Sequence, residues 1–179
     1  MDDPPFVLDA NVFITAKRDY YAFDLAPGFW QSLKYLAENG RILSIDYVKG
    51  ELEKGKDQLT QWAKNDFSHA FISTDEEDVK ECYREVMTWV QAQDQYSDAA
   101  KADFARGADG WLVAYAKAKG CIIVTLEAIK PGIKWGSRFQ MFVKPSVCNS
   151  STLLKCLGVL ACNGRVDIVI IFGFRNLPE

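Results

Sequence analysis

Phe6-Val7-Leu8-Asp9-Ala10-Asn11-Val12-Phe13-Ile14 is the stretch on which the fold class turns. An apolar run ends on a lone aspartate, and an asparagine follows two residues later. Strands rich in Val, Ile and Leu belong to parallel sheets covered on both faces. Such sheets bind ligands just outside the carboxyl ends of their strands. An aspartate there is where an α/β enzyme keeps catalytic or metal-binding oxygen. The run recurs as Cys121-Ile122-Ile123-Val124-Thr125-Leu126-Glu127. Two hydrophobic strands therefore aim carboxylates at one rim.

Outward from that stretch, strands alternate with helices. The first strand is Pro5 to Leu8, and Asp19 to Gly28 reads as a loop. Phe29, Trp30, Leu33, Leu36 and Ala37 form the face of a helix that Asn39-Gly40 stops. Arg41 to Ile45 is the second strand. Asp46 is placed to cap a helix that turns Val48, Leu52, Leu59 and Trp62 inward. Phe67 to Ile72 fits a short strand or a helix end. Asp75-Glu76-Glu77-Asp78 has the acidity of a first helical turn. That helix carries Val79, Cys82, Tyr83, Val86 and Val90. Asp98 opens an alanine-rich segment, and Gly107 separates it from a helix of Ala108 to Lys119 with Leu112, Val113 and Ala116 inward. Ile122 to Thr125 is a strand, and Phe139 to Val143 another. Past Val147, Asn149 to Thr152 is turn-like, Leu153 to Leu160 fits a short helix and Val166 to Phe172 a strand. The alternation defines an α/β fold with a mostly parallel central sheet.

At 179 residues this is most simply one domain, with 49% hydrophobic and 25% charged residues. The net charge of -3 does not advertise a nucleic-acid-binding protein, yet acids gathered in one pocket are compatible with local lysines on phosphate. Cys82, Cys121, Cys148, Cys156 and Cys162 include no Cys-x-x-Cys pair, and His69 is the single histidine. A zinc site and a disulfide framework are both disfavoured, and reduced thiols in a cytoplasmic protein are the economical reading. The start, Met1-Asp2-Asp3-Pro4-Pro5, is no secretory signal. The run Val166 to Phe174 is too short to span a bilayer, so no membrane is expected.

Acids stand at comparable places. Asp9 ends the first strand, Glu51 lies in the first turns of the helix after the second, Asp109 opens the helix before Ile122, and Glu127 follows that strand. Carboxylates gathered together resist ionising, and a divalent cation removes the conflict. Mg²⁺ or Mn²⁺ prefers such oxygen ligands. Asn11 is neutral and suits the orienting of a metal-bound water or of Asp9.

Val7-Leu8-Asp9-Ala10-Asn11-Val12-Phe13-Ile14, Glu51-Leu52, Ala108-Asp109-Gly110-Trp111-Leu112-Val113-Ala114-Tyr115-Ala116 and Ile123-Val124-Thr125-Leu126-Glu127 follow one another in the order found in a known family. The chain resembles PIN-domain ribonucleases, best known as VapC toxins of VapBC toxin–antitoxin pairs. Within that family it looks like a less characterised branch that begins Asp-Ala-Asn-x-Phe-Ile and has a Phe-Trp pair before a helix, here Phe29-Trp30. The resemblance covers roughly residues 6 to 148. It implies a three-layer α/β/α fold and a Mg²⁺- or Mn²⁺-dependent endoribonuclease. It also implies an RNA substrate and a small antitoxin partner, and leaves a homodimer open. By position, Asp9, Glu51 and Asp109 are the core acids and metal ligands. Glu127 falls on a fourth that is often aspartate, and Thr125 on a supporting threonine or serine. Residues 1–148 are then the catalytic domain. The tail 149–179, unlike the family's usual ending, is an extension or an atypical end of that domain.

Each residue has a plainer reading. Asp109 suits any first helical turn, Glu51 sits among Lys49, Glu53 and Lys54, and Thr125 is a β-branched strand residue. Asp103 reads as a solvated helix position. Lys17, Arg18, Arg106 and Lys130 are candidates for RNA phosphates, and Tyr20, Tyr21, Phe23 and Trp30 for unpaired bases, with Trp30 better placed in the core. No Gly-x-Ser-x-Gly is present, and Asp9-Ala10-Asn11 lacks the Asp-x-Asp of phosphoaspartyl hydrolases. Two rival readings remain: an inactive PIN-like module binding RNA or protein, and a metal phosphoesterase acting on DNA or small phosphate esters.

Overall fold

The computed structural model describes residues 4–94, 96–125 and the backbone of 167–170. β1 is Phe6–Leu8, buried throughout. Asp9 then takes an extended backbone (φ −79°, ψ 158°) and caps α1, Ala10–Thr15. The apolar residues beyond Asp9 therefore enter the core from a helix, with Val12 and Phe13 fully buried. Phe13 sits edge-on to Phe67, 5.5 Å between ring centres, and 6.0 Å from Trp62. The segment expected as a loop is helical at both ends. A single π-helical turn, Ala16–Tyr20, prolongs α1. Pro27 and Gly28 already belong to α2, Pro27–Glu38, because proline lacks an N–H where the first helical turn has no use for one. α2 buries Trp30 and Leu33. It ends on Gly40 at φ 68°, with Arg41 N–H donating to Leu36 and Gly40 N–H to Ala37, the paired bonds that a left-handed residue makes possible.

β2, Ile42–Ile45, leads into α3, Asp46–Glu53, and α4, Gln58–Asn65. Val48, Leu52, Leu59 and Trp62 are all buried, but on these two helices rather than one. The chain breaks at Lys56, whose φ is +52°. Asp57 restarts it through a reciprocal capping box with Thr60. The Thr60 hydroxyl also donates to the Leu52 carbonyl at 2.7 Å, closing the corner. Asp46 is the first residue of α3 and not its cap. Its carboxylate accepts from the Tyr47 N–H at 2.9 Å and also from the Thr74 hydroxyl at 3.0 Å and the Thr74 N–H at 3.2 Å, tying α3 to the segment after β3.

A 3₁₀ turn at Ser68–Ala70 opens onto β3, Phe71–Ile72. α5, Glu77–Gln91, carries Glu77 and Asp78 in its first turn and buries Val79, Val86 and Val90. α6, Asp98–Arg106, and α7, Asp109–Lys119, follow on either side of Gly107. Leu112 and Ala116 are buried as expected, joined by Gly110, Ala114 and Tyr115, while Val113 is half-buried. β4 is Ile122–Thr125 and β5 is Asp167–Ile170, within the Val166 to Phe172 strand expected. The strand expected at Phe139 to Val143, the turn at Asn149 to Thr152 and the helix at Leu153 to Leu160 lie outside the described residues.

The strands form one sheet in the order β3-β2-β1-β4-β5, every pair parallel. Right-handed crossovers put the helices of the β1→β2→β3 path on one face and those of the β3→β4 path on the other. The result is the parallel sheet that the alternation of strands and helices implied, in the three-layer α/β/α architecture that the resemblance implied. The order reverses beside β1, so a crevice opens outside the carboxyl ends of β1 and β4. Ser44, wholly buried on β2, donates its hydroxyl to the Leu8 carbonyl at 2.6 Å and fixes the end of β1. Among the described residues no helix is long and apolar enough to cross a membrane.

Asp57 also pairs with Lys17, and that ammonium first, then the Thr60 N–H, holds its carboxyl below the usual range. A lowered carboxylate stabilises the fold above its unfolded pKa and ceases to do so as pH falls through the folded one. Asp57→Ala is expected to lower urea-unfolding stability at neutral pH by about 0.5–2 kcal/mol, the cost of a lost helix cap. The gap from wild type should narrow below the ordinary carboxylate range.

Candidate active site

Asp9 lies in the crevice that the strand order opens. It is 6% exposed, and an ionised carboxylate tolerates such burial only when hydrogen-bonded. Oδ1 accepts from the Ala10 N–H at 2.6 Å, and Oδ2 from the Thr125 hydroxyl at 2.9 Å. The Asn11 amide donates in turn to Thr125 Oγ1 at 2.8 Å. Asn11, Thr125 and Asp9 are thus one chain of hydrogen bonds. Register brings them together: Leu8 pairs with Val124, and Asp9 N–H donates to the Val124 carbonyl at 3.0 Å. Asn11 therefore acts on Asp9 through Thr125.

Asp109 precedes its strand in sequence, yet it reaches the same rim. α7 packs on β4 and ends at Lys119, just before that strand begins. A helix that returns antiparallel beside a strand brings its N-terminus to the strand's carboxyl end. The 11 residues of α7 span about 16 Å, and the 4 of β4 about 13 Å. Asp109, exposed at the first position of α7, is therefore carried toward the carboxyl end of β4.

Glu51 is carried to this place by α3, which packs on α1. Its Oε1 accepts from the Ala108 N–H at 3.1 Å. That bond satisfies one of the free amides at the start of α7 and seats the carboxylate beside Asp109. Glu127 lies outside the described residues, as do Lys130, Cys148, Cys156 and Cys162.

Asp9, Glu51 and Asp109 offer only oxygen, the donor type of a hard divalent cation. In kind they fit Mg²⁺ or Mn²⁺. In number they do not complete a set, since among the described residues no three of His, Cys, Asp and Glu are grouped closely enough to hold a metal ion. The two cysteines among the described residues are not poised for thiol chemistry: burial pushes the Cys121 thiol up to about 11 and raises that of Cys82, leaving little thiolate on either at neutral pH.

The basic candidates are engaged nearby. Lys17 pairs with Asp57, Arg18 with Asp19, and Arg106 with Asp103, which is solvated as expected. Trp30 is core, stacked on Phe23 at 4.1 Å, and Tyr21 stacks on Phe29 at the same distance. Tyr20 is 40% exposed.

Two features escaped the sequence reading. Ser44 is a small strand residue there, with nothing to mark its bond to Leu8. The other is a ring stack between helices, Tyr47 on Trp111 at 4.9 Å and Tyr83 on Trp111 at 3.9 Å, both nearly parallel. No local pattern marks it, because its rings come from three helices.

Residues 6–157 match the family described as a domain of unknown function, DUF4411, and the chain belongs to that family. No curated protein matches it. Among solved structures, one that it is similar to is VapBC2 from Rickettsia felis bound to a DNA fragment from their promoter. Identity is 18% and the TM-score 0.46, over 68% of this chain and 86% of that one. Another is FitAcB from Neisseria gonorrhoeae, also at 18% identity and a TM-score of 0.46, over 68% of this chain and 87% of that one.

Gly110 sets how closely the helices beside Asp109 approach. A Cβ there would lie 3.1 Å from the Tyr83 ring and 3.3 Å from the Phe104 ring. Tyr83 has little room to retreat, since its hydroxyl donates to the Ala105 carbonyl at 3.0 Å and its face lies on Trp111. Overpacking typically costs about 1–3 kcal/mol, while alanine in a helix regains about 1 kcal/mol over glycine. Gly110→Ala is expected to leave a net loss of up to about 2 kcal/mol, read as a lower urea midpoint with an unchanged slope.

Proposed function

We propose that this chain is a Mg²⁺- or Mn²⁺-dependent endoribonuclease, acting in the cytoplasm as the toxin of a VapBC-type pair. The observation that carries the reading is the buried Asp9 carboxylate, held by Thr125 and Asn11 at the carboxyl ends of β1 and β4. Capping α1 uses only Oδ1 of Asp9, whereas Oδ2 is held by a hydroxyl from β4. Glu51 and Asp109 at the start of α7 supply further carboxylate oxygen near that crevice, and the resemblance adds Glu127.

In this reading Asp9, Glu51, Asp109 and Glu127 would hold the cation together, since the described three are not grouped closely enough to hold it by themselves. When bound, such an ion lowers the pKa of a water and polarises a phosphoryl oxygen. Thr125 fixes the direction of Asp9 Oδ2, and Asn11 fixes Thr125, so the carboxylate need not reorganise when substrate arrives. Both helpers are neutral and add no charge to the acids. Water would attack phosphorus in line and give up a proton to solvent while the P–O3′ bond breaks and the 3′ oxygen takes up a proton from solvent, leaving the 5′-phosphate and 3′-hydroxyl ends that the resemblance implies. No side chain acts as nucleophile. The family resemblance supports a small antitoxin as the partner that blocks the site.

The test is purified protein with end-labelled RNA. Cleavage is expected with Mg²⁺ or Mn²⁺, and its loss with EDTA or in Asp9→Asn. Thr125→Val should stay folded and lose about 10–100-fold in rate, as for partners that orient a metal ligand. Cleavage that survives both EDTA and Asp9→Asn would sink the metal-nuclease reading, and RNA binding without cleavage under either ion would identify a binding module.

A further inference from the structure

We propose that Tyr47, backed by Trp111 and Tyr83, is a stacking platform for one unpaired base of the substrate strand. The inference rests on the nuclease reading above and adds to it the way the strand is gripped. Trp111 on α7 has Tyr47 of α3 at 4.9 Å and 15°, and Tyr83 of α5 at 3.9 Å and 8°. Two rings cannot lie side by side on one indole face at those separations, so they take opposite faces. The three helices thus build one column of rings. Tyr83 is its inner end, half-buried and anchored by its hydroxyl on Ala105. Tyr47 is its outer end, 41% exposed.

The column stands beside the acids. Tyr47 and Glu51 are four residues apart on α3, hence neighbours on one helical face. Trp111 is two residues past Asp109 on α7. The contacts Glu51–Ala108 and Tyr47–Trp111 therefore bridge the same two helices. Tyr20 and Tyr35 are also exposed, at 40% and 64%, but Tyr47 is the exposed ring that stacks on a ring column beside the acids. Its ring is already held in place from behind, so a base that stacks on it meets a surface with little freedom left to lose. Bases in single strands are recognised by such stacking, and bases in duplexes are not free to take part. Aromatic stacking is tolerant of sequence, because every base has a π-face. The platform would select for an unpaired nucleotide next to the cleaved bond without naming it.

The test uses the full chain in EDTA, so that no strand is cut, and a fluorescein-labelled single-stranded oligoribonucleotide read by anisotropy. Tyr47→Ala is expected to weaken binding roughly 5- to 100-fold, and Tyr47→Phe to stay within about twofold of wild type, since the ring and not the hydroxyl is used. An oligomer of the same length with abasic residues should bind wild type and Tyr47→Ala alike, and the annealed duplex should bind wild type more weakly than the single strand. Equal binding of the base-bearing strand by wild type and Tyr47→Ala, while wild type still cleaves RNA with Mg²⁺, would overturn the platform and leave the nuclease reading standing. If Tyr47→Ala fails to fold, wild type alone decides: equal affinity for abasic and base-bearing strands overturns the proposal. A wild-type chain that neither binds nor cuts RNA with either ion removes the nuclease reading, and the platform with it.

Discussion

The parallel pairing of β1 with β4 is the constraint on which the rest of this structure depends. Parallel strands put all their carboxyl ends at one edge, and the reversal of strand order beside β1 opens that edge. A carboxylate placed there and buried needs donors, and Thr125 supplies one only because Leu8 faces Val124. A slip of one residue would turn every side chain of β4 to the opposite face of the sheet. Asp9 would then be buried without its partner, which is costly. The site and the register therefore enforce each other. Ser44 works in the same sense from the other side, bonding to the last carbonyl of β1.

A second dependence runs through α7. The helix is long enough to carry Asp109 back to the rim, and its left-handed terminus at Gly120, φ 67°, turns the chain directly into β4. At its other end it receives Glu51 from α3 on a backbone amide. The side chain of a distant helix thus stands in for a local cap, as α7 has no side-chain cap of its own. Gly110 lets Tyr83 and Phe104 close over the same turn. Packing, capping and the placing of acids are here one set of contacts, so damage to any of them is felt at the others.

Much of this was legible in the chain because it is written in short-range patterns. Phe6 to Leu8 and Ile122 to Thr125 could be read as buried strands from their apolar runs, and the faces of α2, α5 and α7 from their spacing. The inward residues of α3 and α4 could be read too, but not the break between them. A positive φ at Lys56 and a cap at Asp57 leave no mark on hydrophobic periodicity. Asp46 has the look of a cap, and only the fold shows that Thr74 claims its carboxylate. The acids at Asp9 and Asp109 could be nominated singly. That Asp109 shares the rim of Asp9 follows from the length and direction of α7, which no local pattern contains. The column of Tyr47, Trp111 and Tyr83 spans three helices and was invisible for the same reason.

The candidate acids and the ring column would divide the work of recognition. Carboxylates that hold a cation respond to phosphate, which every nucleic acid presents, paired or not. Nothing in Asp9, Glu51 or Asp109 distinguishes a loop from a helix. A tyrosine stiffened from behind does so, because only an unstacked base can lie against it. Placing that ring one helical turn from Glu51, about 6 Å along α3, couples the two selections in space. A strand seated on the ring brings its own backbone toward the carboxylates. A duplex offered to the same acids has no base to spare for Tyr47. Selectivity for unpaired substrate then needs no dedicated loop: it follows from stacking geometry on helices that the sheet already holds rigid.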